Sequence, residues 1–202
     1  FMSKDGYPLS YGAPSYLYYA QRLYQFPLGV LGISLATAIF PVMSSDAARN
    51  DLQALSRTFS KGIKAALFVA IPATVGILLV AKPLISAVFE HGEFKSKDTP
   101  IVAFALCCYA VGLCGYFLQQ LTTRAFYSLQ DSKTPAKSAV VAAAFNVAFN
   151  LLLIWFMGVA GLALATAICS YIQVVILASV LKKRLNKDML DGVFTTLVKT
   201  AA

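Results

Sequence analysis

Residues 138–181 read SAVVAAAFNVAFNLLLIWFMGVAGLALATAICSYIQVVILASVL, 44 positions without one Asp, Glu, Lys or Arg. At 1.5 Å per residue, a single helix of that length would run about 66 Å, more than twice the ~30 Å apolar thickness of a bilayer. The stretch must therefore fold back once. Gly158 and Gly161 suit a tight turn, and Trp155 and Phe156 beside them suit the headgroup level, where aromatic rings settle. Two membrane helices follow, over 138–156 and 160–181.

The flanking sequence is of the same kind. Apolar segments of spanning length occupy 16–43, 65–89 and 101–127, and 191–202 resembles the first turns of a further helix. Over its 202 residues the chain is 58% hydrophobic and 13% charged, about half the charge of a soluble domain. Its mean hydropathy of +0.70 excludes a soluble enzyme, a disordered tail and a disulfide-stapled secreted module. No segment alternates with period two, as lipid-facing barrel strands must. The expected fold is an all-α integral membrane protein, a polytopic helix bundle. Because the chain opens on Phe1, without a signal segment, and closes on an unfinished helix, we expect residues 1–202 to be a fragment of one transmembrane domain.

Orientation follows from the basic residues. With five spans the connections alternate sides. One side receives Arg49, Arg57, Lys61, Lys64, Arg124, Lys133, Lys137, Lys182, Lys183, Arg184, Lys187 and Lys199; the other receives Lys4, Lys82, Lys95 and Lys97. Twelve against four places the first side in the cytoplasm. The net charge of +8 is thus a topology signal and calls for no nucleic acid. Lys182, Lys183 and Arg184 also suit contact with anionic lipid headgroups.

Covalent chemistry finds no support. Cys107, Cys108, Cys114 and Cys169 all fall in apolar spans without CxxC spacing, and the single histidine, His91, lies in a loop. They read as packing thiols. Nucleophile-elbow, zincin, P-loop and dinucleotide motifs are all lacking, and His91 with Glu90 and Glu93 has no partner nucleophile. We expect no catalytic residue, no metal and no cofactor.

The informative residues are polar ones within the spans. Arg22 is the foremost, because a guanidinium in lipid is costly and normally meets a cavity or a partner. Ser15, Tyr18, Arg22, Gln25 and Gly29 follow helical spacing and share one face, and Pro27 then removes a backbone donor. Two readings stay open on position alone. Arg22 snorkels to the headgroups, or Arg22, Tyr18 and Gln25 line a cavity for an anionic substrate, whose phosphate a planar fork would suit. Asn146 and Asn150 lie four apart, facing a helix that carries Thr166, Ser170 and Gln173. Asn146, Asn150 and Thr166 are either interhelical hydrogen-bonding groups or oxygen ligands for a small cation; no carboxylate accompanies them. Tyr116, Gln119, Gln120 and Thr123 read as a polar helix end beside Arg124. In the loop 89–100, Ser96 or Asp98 is expected to cap the next helix, with Pro100 in its first turn.

Three stretches resemble one family. YYAQRLYQFPLGVLGISLATAIFPVMS (18–44) is similar to the eighth transmembrane helix of the MurJ (MviN) lipid II flippases. FEHGEFKSKDT (89–99) resembles their FERGxFT-type connection, and TRAFYSLQDSKTP (123–135) their RAFYALxDTKTP-type cytoplasmic loop. The resemblance implies a MATE-like (MOP superfamily) flippase fold, of which this chain is a partial lobe holding helices eight to twelve and the start of thirteen. It implies a multi-pass protein of the bacterial cytoplasmic (inner) membrane that moves lipid II, an undecaprenyl-pyrophosphate-linked disaccharide-peptide, to the outer leaflet by alternating access, without enzymatic activity. Its partners would be lipid II, membrane lipids and the cell-wall synthesis machinery. Arg22 matches an arginine of the family's central cavity. Gln21 stands where some members have an acid, and Asn150 where some carry a carboxylate near a cation site. Pro27, Gly29, Gly32 and Pro72 are the expected bending points. Three rivals remain: another lipid-linked oligosaccharide flippase or MATE-like exporter, a non-transporting membrane scaffold, and a membrane-embedded transferase.

Overall fold

A computed structural model describes residues 12–185, and every regular element among them is helical. The first span runs as α1 (Ala13–Pro27), a π-helical segment (Leu28–Ile33) and α2 (Ser34–Ala48). Then come α3 (Leu52–Phe89), α4 (Thr99–Val111), α5 (Leu113–Ser128), α6 (Lys133–Met157) and α7 (Val159–Leu185). Four of these helical runs are long and apolar enough to cross a membrane, and α4 with α5 makes a fifth, bent span. The further helix expected over 191–202 lies outside the described residues.

The helices outrun the hydropathy that located them. α3 was expected from residue 65 and begins at Leu52, because the turn before the membrane is stabilised by other means. The Asp51 carboxylate accepts from the Ala54 N–H at 2.8 Å, an N-terminal cap. Leu55, Phe59 and Ile63 recur at four-residue spacing and are buried, while Arg57, Lys61 and Lys64 face out. Hydropathy marks where a helix enters lipid; capping and an amphipathic face decide where its hydrogen bonds begin.

The third span was expected to be continuous over 101–127, and it is broken at Gly112, with its halves bent by 42°. The cause is close packing on α7. A Cβ at Gly112 would come within 2.8 Å of the Ala167 Cα, and one at Gly115 would meet the Ser170 hydroxyl. α7 also serves a carbonyl at the break. The Tyr171 hydroxyl donates to the Val111 carbonyl at 2.6 Å, while the Ser170 hydroxyl donates within its own helix, to the Ala167 carbonyl at 2.7 Å, and passes 3.5 Å from the Gly112 carbonyl. A bend in lipid is tolerated where neighbouring side chains satisfy the freed backbone groups.

This broken span is the centre of the bundle. α4 is buried on nearly every side and packs against α1, α3 and α7; α5 packs against α2, α3 and α7. α6 lies at the periphery, held mainly by α7, and leaves Phe145, Leu151, Leu152, Trp155 and Phe156 exposed. The one-residue turn between them is made by Gly158 at φ 55°, and Gly161 lets α7 pass the Leu153 carbonyl, which a Cβ would meet at 2.4 Å. The buried side chains fall into two clusters. One joins α1, α4, α3 from Ala66 onward and the starts of α5 and α7; the other joins α2, the rest of α5 and the ends of α3 and α7 nearest the basic connections. The π-helical segment, which contains the expected bending points Gly29 and Gly32 and follows Pro27, lies between these two levels. Pro72 sits inside the unbroken α3.

Candidate functional site

α1 is fixed to the bundle by one face. Ala13, Ala20 and Tyr24 are buried, and Tyr24 stacks on Tyr109 of α4 and Tyr116 of α5 with ring centres 4.7 and 5.3 Å apart. Nearer its start, Tyr19 packs on Phe89 and Phe94, and the Tyr16 hydroxyl donates to the Asp98 carboxylate at 2.7 Å. Burial pushes the Asp98 carboxyl up, but the Lys95 N–H, the Tyr16 hydroxyl and the charges of Lys97 and Lys95 outweigh it and hold the pKa below the usual value. Asp98 does occupy the N-cap position of α4, yet its side chain turns away from that helix, to Tyr16 and to the Lys95 N–H at 3.0 Å. Ser96, the other expected cap, donates to Glu90 instead.

With that face committed, the polar stripe points away from the bundle. Tyr18, Gln21, Arg22 and Gln25 line an open concavity of about 310 Å³. Arg22 runs back toward the helix N-terminus, the direction helical side chains take. Its Nε and Nη2 donate to the Tyr18 hydroxyl at 3.0 and 2.6 Å, and its guanidinium carbon lies 4.9 Å from the Tyr18 ring centre. None of the four lining residues is a carboxylate, so the site carries an uncompensated positive charge bordered by two amides. The arrangement offers a fixed positive charge, N–H donors in a planar fork and one phenol hydroxyl. Tyr18, Arg22 and Gln25 are thus brought together. Gln21 is the lining residue that the stripe 15-18-22-25-29 omitted; positions 18, 21, 22 and 25 follow the i, i+3, i+4, i+7 pattern that would have found it.

Asn146, Asn150 and Thr166 also meet, across the α6–α7 contact. The Asn150 amide donates to the Asn146 side-chain oxygen at 2.8 Å, and the Asn146 amide lies 3.5 Å from the Thr166 hydroxyl. Thr166 itself donates to the Leu162 carbonyl at 3.0 Å. The asparagines thus engage each other, while the Asn150 side-chain oxygen is buried without a partner. Ser170 and Gln173, expected on the same face, go elsewhere: the Ser170 hydroxyl donates to the Ala167 carbonyl of its own helix at 2.7 Å, and Gln173 turns to Ser138 of α6, its amide 3.5 Å from the hydroxyl. Tyr116 likewise leaves the expected polar end of α5 for the tyrosine stack. Arg124 lies with its guanidinium carbon 5.8 Å from the Phe40 ring centre.

At the basic end, Asp131 organises the turn between α5 and α6. It accepts from the Lys133 and Thr134 N–H groups, both at 3.0 Å, and from the Thr134 hydroxyl at 2.6 Å, and it pairs with Arg184 of α7 at 2.6 Å. The Thr134 hydroxyl and N–H, then the Arg184 charge, hold its pKa down to about 2. His91 and Glu93 are exposed, and among the described residues no three His, Cys, Asp or Glu side chains gather as a metal would need.

Known proteins resemble this arrangement over nearly its whole length. The sequence model of the family described as "Lipid II flippase MurJ" matches residues 6–202. The probable lipid II flippase MurJ of Vibrio cholerae is 35% identical over 169 residues, 84% of this chain and 32% of that protein. The probable lipid II flippase MurJ of Rickettsia prowazekii is 34% identical over 168 residues, 83% of this chain and 33% of that protein. A solved structure, "Lipid II flippase MurJ, inward closed conformation", is 29% identical and matches with a TM-score of 0.79 over 94% of this chain and 42% of that one. The chain therefore spans about a third of the length of these curated relatives.

Proposed function

The chain belongs to the lipid II flippase MurJ family, and from that membership we propose that it forms the part of a lipid II flippase that presents Arg22 to the diphosphate of the substrate. The supporting observation is the concavity on α1, where a guanidinium stands among Tyr18, Gln21 and Gln25 with no carboxylate to neutralise it. An exporter of cations would want acid at this place; a scaffold would need no fixed charge there at all. The chain makes and breaks no bond in this scheme. It binds the lipid-linked diphosphate from α1 while two lobes rock about the site, opening first toward the cytoplasm and then outward. The membrane is the bacterial cytoplasmic membrane, and enzymes that build and consume lipid II are its functional neighbours. The Asn146–Asn150–Thr166 cluster serves as interhelical hydrogen bonding in this scheme, because its amides already engage each other.

The test uses the full-length gene in bacteria depleted of their own lipid II flippase, with wild type and Arg22→Ala at matched membrane levels. Wild type is expected to restore growth and surface-exposed lipid II, and Arg22→Ala to restore neither. Normal rescue by Arg22→Ala would overturn the role given to Arg22. An inserted wild type that fails to rescue would favour another lipid-linked oligosaccharide as substrate.

A further inference from the structure

A free arginine on a helix surface samples many rotamers, and both edges of its guanidinium are open to any acceptor. Arg22 is held differently. Nε and Nη2 form one edge of the plane, and both donate to a single atom, the Tyr18 hydroxyl oxygen, one helical turn away. The Tyr18 ring itself is about half exposed, at 52%, so α1 does not depend on it for packing. Of the five guanidinium N–H groups, the two on Nη1 and the second on Nη2 are left over. The Nη1–Nη2 edge is a second fork, spaced to accept two oxygens of one phosphate group.

We propose that Tyr18 is a positioning residue: its hydroxyl occupies the inner edge of Arg22 and thereby presents the outer Nη1–Nη2 edge to one phosphate of a diphosphate. The proposal rests on the anion-binding role given to Arg22 above and specifies how that role is performed. Fixing the side chain before the ligand arrives lowers the conformational entropy lost on binding. Orienting one edge selects for ligands that offer a pair of oxygens, and a single-oxygen acceptor gains nothing from it. Gln21 and Gln25 line the same opening and carry amides, a residue type able to donate to the remaining oxygens of such a ligand. Lysine at position 22 would carry the charge but no fork, and Tyr18 would then have nothing to orient.

That last point supplies the experiment. Binding of inorganic diphosphate is measured by calorimetry on the full-length protein in lipid nanodiscs, for wild type, Tyr18→Phe, Arg22→Lys, Arg22→Ala and the double variant Tyr18→Phe/Arg22→Lys. Tyr18→Phe keeps the ring and removes only the acceptor. It is expected to weaken binding about tenfold when Arg22 is present, and by less than about twofold when Lys occupies position 22, the non-additivity of groups acting through one another. Equal losses in the two backgrounds would overturn the proposal, since Tyr18 would then act on the ligand or on the fold independently of the guanidinium. Wild-type binding by Tyr18→Phe would overturn it as well. If Arg22→Ala binds diphosphate like wild type, or wild type binds none, the role of Arg22 itself falls and that of Tyr18 with it, a result distinct from additivity.

Discussion

Asp131 shows how one carboxylate ties sequence to assembly. It terminates the turn after α5, satisfies the first N–H groups of α6 and reaches across to Arg184 on α7. Its pKa, held down to about 2 against an ordinary 3.8, sets the sign of a pH effect. The ionised form is favoured in the folded state, so its contribution is complete above the ordinary value and fades as pH falls through the folded one. Asp131→Asn should therefore melt below wild type by a constant margin from neutral pH down to the ordinary carboxylate value, and the margin should shrink from there to pH 2 and be lost below it. Thermal midpoints in detergent would show this, and a margin unchanged at the acid end would contradict it. The asparagines give a second prediction. Asn146 touches both Asn150 and Thr166, whereas Asn150 touches Asn146 and leaves its own oxygen unpaired. Asn146→Leu should cost about 1–3 kcal/mol, since it strands the half-buried Asn150 amide and removes the contact with Thr166, while Asn150→Leu should stay within about 1 kcal/mol, since it also removes a buried oxygen that has no partner. The opposite order of midpoints would mean that the cluster holds something other than itself. The positions of these residues on one face were legible from spacings of three and four; that Ser170 would bond its own helix and Gln173 would turn to Ser138 was not, because spacing gives a face and not a partner.

At the scale of the helix, two interruptions differ in origin. The π-helical segment 28–33 follows Pro27, whose missing N–H disturbs the local hydrogen-bond ladder, so its neighbourhood was readable from the chain. The break at Gly112 has no such cause. It lies within an uninterrupted apolar run, and it exists because α7 comes close enough to place the Ala167 Cα within 2.8 Å of a Cβ at that site. The two glycines should respond accordingly. Gly112→Ala forces backbone apart and should cost about 1–3 kcal/mol, the range for overpacking. Gly29→Ala, where a Cβ meets nothing within 4 Å, should change stability by less than about 1 kcal/mol. Comparable losses from both, read as thermal midpoints, would refute the packing origin of the break.

At the scale of the molecule, the basic connections assign the sides, and labelling tests them. A cysteine at Ser96, between α3 and α4, should react with a membrane-impermeant thiol reagent applied outside intact cells. One at Ser132, between α5 and α6, should react only after the inner face is opened; the reverse pattern would invert the topology. The native cysteines lie within the spans, so they leave the loops available for this test. The number of spans, the fold-back at Gly158 and the polar stripe bearing Arg22 were determined by the sequence alone. Each depends on a one-body property: the cost of placing a given side chain in lipid, or its position around a regular helix. The centrality of the third span, its break, the withdrawal of Tyr116 into a stack with Tyr24 and Tyr109, and the outward aim of Tyr18 and Arg22 were decided by tertiary structure. They depend on which helices touch and how closely, and hydropathy carries no information about a neighbour.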